Sequence, residues 1–298
     1  MAAPPSFCPE MIDRPRCSRQ TGGPPKGQGE STGDGRSHMS GVPADSAISL
    51  RDISIRLSGL QILDSVSIDV PKGAVTGLIG PNGAGKTTVF NVLSGFLSAD
   101  SGTVTINGAQ QRRIRPQRLT KLGVSRTLQG VGLFASLTAL DNVMLGGSSS
   151  IRTGIIADGL AMPWADSRTT RLRERALAVM DELDVADARD RLPAELPYPV
   201  QKRVALARAL VSDPSIVLLD EPAGGVSVGD IAELGALIRS WTPQRTVLLV
   251  EHHMDLVMNV CDLIWVLDAG KVIASGTPEE IRNNPAVLEA YLGHEEAV

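Results

Sequence analysis

The chain has 298 residues, enough for one large domain with a sizeable core, and 29 Lys+Arg against 33 Asp+Glu give a formal net charge of -4. That balance lacks the basic footprint of a nucleic-acid binder, and no apolar run approaches the roughly 18 residues of a membrane span. Cys8, Cys17 and Cys261 lack C-x-x-C spacing, which argues against a disulfide framework or a zinc site and fits a reducing cytosol.

Residues 1–45 differ in composition from the rest. Gly22-Gly-Pro-Pro25 and Gly27–Gly35 are rich in Gly, Pro and Ser, and few apolar residues interrupt them. Such a stretch cannot bury enough surface to offset its ordering entropy. It also lacks the apolar centre of a secretory signal. Residues 1–45 are expected to be a disordered tail, or an upstream extension with the working start near Met39.

An ordered domain is expected over 46–298. Ile53, Ile55 and Leu57 alternate with polar residues, as do Val66, Ile68 and Val70, and Ser58-Gly59 lies between them as a turn. Ala74–Ile79 is an apolar strand. It runs into Gly80, Pro81, Asn82, Gly83, Ala84, Gly85, Lys86, Thr87 and Thr88, and a helical run, Val89–Gly95, follows. Strand, glycine loop, Lys-Thr and helix is the context that the G-x-x-x-x-G-K-[ST] pattern needs. Its glycines let successive backbone N–H groups turn toward a di- or triphosphate, and the helix directs its positive end at the same anion. Lys86 is expected to reach the β- and γ-phosphates, and the Thr87 hydroxyl to ligate Mg²⁺.

Thr103–Ile106 reads as another strand ending in the tight turn Asn107-Gly108. Residues 138–195 read as mainly helical, with Leu172, Ala176, Val179, Met180 and Leu183 on one face and Arg171, Arg173, Glu174 and Arg175 on the other. Short buried-strand runs then return at Ser215–Leu219, Thr246–Val250 and Leu263–Leu267, separated by helical segments. The fold expected is α/β: a mainly parallel sheet with an antiparallel β edge and a helical lobe inserted at about 135–212.

Three further stretches end at the same sheet edge. Ile216–Leu219 leads into Asp220 and Glu221, at the end where a parallel sheet presents its ligands. Asp220 is placed to hold Mg²⁺ through water, and Glu221 to orient or deprotonate the attacking water. Val250 leads into Glu251, His252 and His253, which makes His252 a candidate for contacting the γ-phosphate. Gln129 ends a strand-like run and offers its amide to Mg²⁺ or to the water.

Together these residues resemble the nucleotide-binding subunit of ABC transporters, over roughly residues 47–293. Gly80–Thr88 is similar to the Walker A loop, Gln129 to the Q-loop glutamine, Ile216–Glu221 to the Walker B strand with its catalytic glutamate, and His252 to the switch histidine. Arg126–Phe134, Glu251–Met258, Gly276–Gly293 and Arg152-Thr-Gly154 resemble the ATPase subunits of branched-chain amino-acid importers. The resemblance implies a P-loop NTPase fold, ATP and Mg²⁺ as cofactors, and a place on the cytoplasmic face of the membrane. It also implies membrane permease subunits as partners and, indirectly, a periplasmic solute-binding protein, with no nucleic acid. The ATPase would work as a head-to-tail dimer with itself or with a second, paralogous subunit, each ATP lying between one Walker A loop and the other subunit's signature loop.

That signature loop departs from the family pattern. Leu196, Pro197, Tyr198, Pro199, Val200 and Gln201 stand where Leu-Ser-Gly-Gly-Gln or Leu-Ala-Tyr-Gly-Gln-Gln is usual. Proline has no backbone N–H, and Pro199 replaces a glycine that helps grip a phosphate. Leu57 stands where an aromatic residue commonly stacks on adenine, and Ser227 near the place of the D-loop aspartate. Two readings follow: an ATPase that energises solute import, favoured by Glu221 and His252, or a nucleotide-binding regulatory subunit with little hydrolysis, favoured by Pro199. With one nucleotide domain and no basic patch, a soluble ATPase of translation or DNA maintenance fits less well.

Overall fold

The computed structural model describes residues 45–127, 130–147 and 163–292. Gln129, the Arg152–Gly154 stretch and all of the expected tail except Asp45 lie outside the described residues.

Strands β1 (Ser46–Leu57) and β2 (Leu60–Pro71) pair antiparallel, and the residues joining them, Ser58 at φ 50 and Gly59 at φ 86, are both left-handed. A two-residue turn of that hand matches the twist of the strands that it joins. Strands β4 (Ser101–Ile106) and β5 (Ala109–Gln111) repeat the device at Asn107-Gly108, and the four-stranded sheet runs β2-β1-β4-β5.

A second sheet is formed by β3 (Val75–Ile79), β6 (Val124–Arg126), β7 (Ile216–Asp220), β8 (Thr246–Val250), β9 (Leu263–Asp268) and β10 (Lys271–Gly276). Its order is β10-β9-β3-β8-β7-β6, and every neighbouring pair is parallel except β10 with β9. Every residue of β3, β7 and β8 is buried. The two-residue period divides these side chains between two cores. Ile216, Leu218, Leu248 and Val250 join β1, β2, β4 and helix α1 (Lys86–Leu93) on one face. Val217, Leu219, Val247 and Leu249 join the remaining helices on the other. Each large aliphatic side chain so buried contributes about 1.5–3 kcal/mol, which is why these strands read as unbroken apolar runs.

Between β6 and β7 come helices α2 (Ala139–Gly147), α3 (Pro163–Glu182) and α4 (Tyr198–Leu210). On α3, Ala176, Val179 and Met180 are buried, while Arg171, Arg173, Glu174 and Arg175 face water. Helices α5 (Val228–Ser240), α6 (Met254–Val260), α7 (Pro278–Arg282) and α8 (Pro285–Leu292) follow β7, β8 and β10. Among the described residues no helix is long and apolar enough to cross a membrane. Cys261 is buried with its Sγ against Gly77 of β3, and burial, helped by Asp262, pushes its thiol up to about 12. It acts as packing and is not a reactive group.

Candidate nucleotide site

The site is assembled at the ends of parallel strands β3, β7 and β8, where a sheet of this kind exposes polar backbone and side chains. Gly80 leaves β3 at φ 149, and a Cβ there would run into the Leu267 carbonyl oxygen of neighbouring β9. Gly83 and Gly85, at φ 81 and 103, complete the curl that only glycine adopts freely. Pro81 and Ala84 are buried, whereas Asn82, Gly83 and Thr87 are exposed and Thr88 is half-buried. Helix α1 starts after Gly85 with no side-chain cap and no acidic residue in its first turn, so its N-terminal amides have no competing anion of their own.

Lys86 folds over this loop and donates to the Gly80 and Pro81 carbonyl oxygens at 2.7 and 2.8 Å. Burial pulls its ammonium below the usual range, and the Glu221 carboxylate opposes that pull. Lys86 and Glu221 thus share one electrostatic neighbourhood. Tyr291 of α8 reaches the same loop: burial pushes its hydroxyl up, and a hydrogen bond with the Gly80 backbone opposes the shift.

Asp220 closes β7 almost fully buried, and its Oδ2 accepts from Arg126 at 2.8 Å. Glu221 turns out of the strand at φ 48, with its amide bonded to the Val250 carbonyl oxygen at 2.9 Å. Directly after β8, Glu251 is buried, whereas His252 is exposed and His253 half-buried. Glu251 Oε2 accepts from the Ala223 amide at 3.0 Å, and its Oε1 from the His252 and His253 amides at 2.9 and 3.3 Å. The His252 ring, more than half exposed, has Nδ1 3.3 Å from the same Oε1. One carboxylate therefore orients the histidine and the turn after Glu221 together.

The loop expected to serve a second subunit lies at the start of α4. Leu196 is buried, Pro197 occupies the position before the first helical residue, and Tyr198, Pro199, Val200 and Gln201 form the first turn. A proline there removes a donor the helix does not use internally, so the helix forms undisturbed. Gln201 closes the turn, its amide bonding the Pro197 carbonyl at 3.0 Å and its Nε2 the Leu196 carbonyl at 2.9 Å. The Tyr198 hydroxyl donates to the Gly224 carbonyl at 3.4 Å, and Lys202 donates to the Pro222 and Glu221 carbonyls at 3.0 and 3.3 Å. Burial lowers the Lys202 ammonium, opposed by Glu251 and Glu221.

Gly80–Thr88, Asp220, Glu221 and His252 thus gather at one sheet edge, whereas Leu196–Gln201 belong to the start of α4 and touch the segment after Glu221 through Tyr198. Sequence reasoning missed Arg126, Lys202, Glu251 and Tyr291. Glu251 stands one residue before a singled-out histidine, and Arg126 three before Gln129, but neither position carries a sign of its partner.

The family described as ABC transporter matches residues 63–224. The chain is also 37% identical over 248 residues to the high-affinity branched-chain amino acid transport ATP-binding protein LivG of Salmonella typhimurium, which spans 83% of this chain and 97% of LivG. The chain belongs to the ABC transporter family, as an ATP-binding subunit. A second family, described as branched-chain amino acid ATP-binding cassette transporter, matches residues 271–297 of this ABC protein. BraF of Pseudomonas aeruginosa, a protein of the same description as LivG, is 36% identical over 243 residues, 81% of this chain and 95% of BraF. Among solved structures, the ADP conformation of MJ1267, an ATP-binding cassette of an ABC transporter, superposes with a TM-score of 0.72 at 30% identity, covering 83% of this chain and 99% of that one. The ABC ATPase fold, with its mainly parallel sheet, antiparallel β subdomain and helical region, agrees with the architecture expected from sequence.

Proposed function

We propose that this ABC ATPase drives import of branched-chain amino acids from the cytoplasmic face of the membrane, as one half of a dimer bound to permease subunits. The observation that carries the hydrolytic part is that the phosphate loop, Asp220-Glu221 and His252 follow the ends of the neighbouring parallel strands β3, β7 and β8, with Glu251 Oε1 3.3 Å from His252 Nδ1. The solute class is supported by the match at residues 271–297 and by the LivG and BraF relatives.

In this reading the loop amides and Lys86 hold the phosphates of ATP, and the loop's glycines let backbone and anion approach closely. Lys86 exchanges its two loop carbonyls for phosphate oxygens. The donor set fits a hard cation, since Thr87 and Asp220 offer oxygen, as does the Gln129 amide outside the described residues. Mg²⁺ bound there would offset charge on the β- and γ-phosphates. Glu221 would orient the attacking water and take its proton, and His252 would steady the γ-phosphate.

The permease contact falls on a groove of about 480 Å³ whose lining includes Phe96, Arg126, Phe134, Leu145, Ala205 and Arg208. Phe96 and Phe134 are exposed on it, and apolar rings so displayed suit a short helix laid across by a membrane partner. Asn142 fixes Phe134 by accepting from its amide at 2.7 Å and donating to its carbonyl at 3.1 Å. The second reading, a regulatory subunit with little hydrolysis, draws on Pro199 alone.

The test is uptake. Vesicles carrying this chain, its permeases and its paralogous ATPase are expected to accumulate labelled leucine only with ATP, and Lys86→Ala to abolish both uptake and hydrolysis. Leucine uptake unaffected by Lys86→Ala would overturn the assignment. ATP-dependent accumulation of some other solute, with none of leucine, would overturn the solute alone.

A further inference from the structure

The groove and the metal-holding carboxylate share one side chain. Arg126 ends β6, and its guanidinium faces three ways. One nitrogen donates to Asp220 Oδ2 at 2.8 Å in a pair whose side chains are only 12% and 5% exposed. A second donates to Asn91 Oδ1 at 2.9 Å and Ser94 Oγ at 2.8 Å, both at the end of α1. Its carbon lies 5.6 Å from the centre of the Phe90 ring, in the core, and 5.9 Å from that of Phe96, on the groove.

We propose that Arg126 is a positioning residue that fixes Asp220 for Mg²⁺, itself held from the groove side by the Phe96 ring. The proposal rests on the ATPase reading above. A planar guanidinium can bridge acceptors on α1 and β7 at once, which a lysine ammonium on its flexible stem does not do with the same rigidity. By holding Oδ2 it keeps the carboxylate in one orientation, in which Oδ1 would be left to accept from a metal-bound water. Phe96 does not touch Asp220, but it forms the outer wall of the guanidinium's pocket. A cation this close to a ring face is attracted by it, so the ring limits where the guanidinium can sit. Phe96 thereby helps to hold Arg126, and through it the presentation of Asp220.

The experiment uses the purified full chain with saturating ATP, titrated with Mg²⁺ while the thermal midpoint is followed. ATP binding in EDTA, read by fluorescence, serves as the metal-free control. Arg126→Met is expected to raise the half-saturating Mg²⁺ concentration by roughly fivefold, below the ~10-fold low end for losing a hydrogen-bond partner of a direct metal ligand because Asp220 acts through water, and to leave metal-free ATP binding unchanged. Arg126→Lys recovers only part of that shift. Phe96→Ala is expected to raise the Mg²⁺ requirement by about twofold, in keeping with an exposed cation–ring contact. A Mg²⁺ requirement unchanged or lowered in either Arg126→Met or Phe96→Ala overturns the proposal. Should Arg126→Met fail to fold, Phe96→Ala, a surface change, decides alone. If the unsubstituted chain shows no Mg²⁺-dependent stabilisation by ATP, the ATPase reading fails and the proposal falls with it.

Discussion

The phosphate loop before α1 and the loop before α4 both end in a helix start, and they treat the first helical turn differently. At α1 a glycine precedes the helix, and Lys86, Thr87 and Thr88 bring their amides to its open end. At α4 Pro197 precedes the helix and Pro199 stands in its first turn, so two of the backbone positions there have no N–H to offer. Both helices form. Helix formation and anion capture are therefore separable: a proline in the first turn leaves the ladder intact while removing the donors that a phosphate would use. In the proposed reading, one chain carries a well-built half of a nucleotide site together with a half poor in donors.

If that contrast governs the assembled transporter, this chain pairs with a paralogous ATPase and most hydrolysis occurs at one composite site. Glu221→Gln here is expected to lower ATPase activity at least roughly a hundredfold, by analogy with the loss of other groups acting on the transition state. The matching substitution in the partner is expected to lower it no more than about twofold. Steady-state turnover of the two singly substituted assemblies makes the comparison, and equal losses would break it. A smaller effect sharpens the same contrast. Pro199→Gly restores one donor and backbone freedom at α4, and is expected to raise turnover at the second site by up to about tenfold, with a helix cost of at most ~1 kcal/mol. It is measured with Glu221→Gln in place, so that only the second site fires. No gain there would mean that Pro199 is not what limits it. The smallest effect concerns the base. Leu57, beside the β1–β2 turn and exposed, offers adenine no aromatic face. Leu57→Tyr is expected to tighten ATP severalfold, for ~1 kcal/mol of stacking, and the unsubstituted chain to discriminate weakly between ATP and GTP in competition binding.

The strands were legible in the sequence because burial on both faces demands unbroken apolar runs, as in Thr246–Val250, and the hairpins because left-handed turns demand residues such as Ser58-Gly59 and Asn107-Gly108. The phosphate loop was legible because Gly80 cannot carry a Cβ against Leu267. What escaped were pairings between elements distant in the chain. Nothing near Arg126 announces Asp220; the parallel register that sets Arg126 opposite Leu218 brings them together. Glu251 was passed over because a strand end does not reveal which of its polar residues turns inward. Pro199 was read as a lesion of the loop, whereas in place it is also a residue that starts a helix well.

The position of β3 has a consequence for how the protein is made. Its partners are β8 and β9, so residues 75–79, synthesised early, wait for residues 246–250 and 263–268 before any of their sheet bonds can close. Contacts of such sequence separation form late and together, because the loop-closure entropy between them must be met before they stabilise anything. A nascent chain on the ribosome therefore carries the phosphate-loop sequence without the phosphate site, and ATP can help complete its folding only after nearly all of the described domain has emerged.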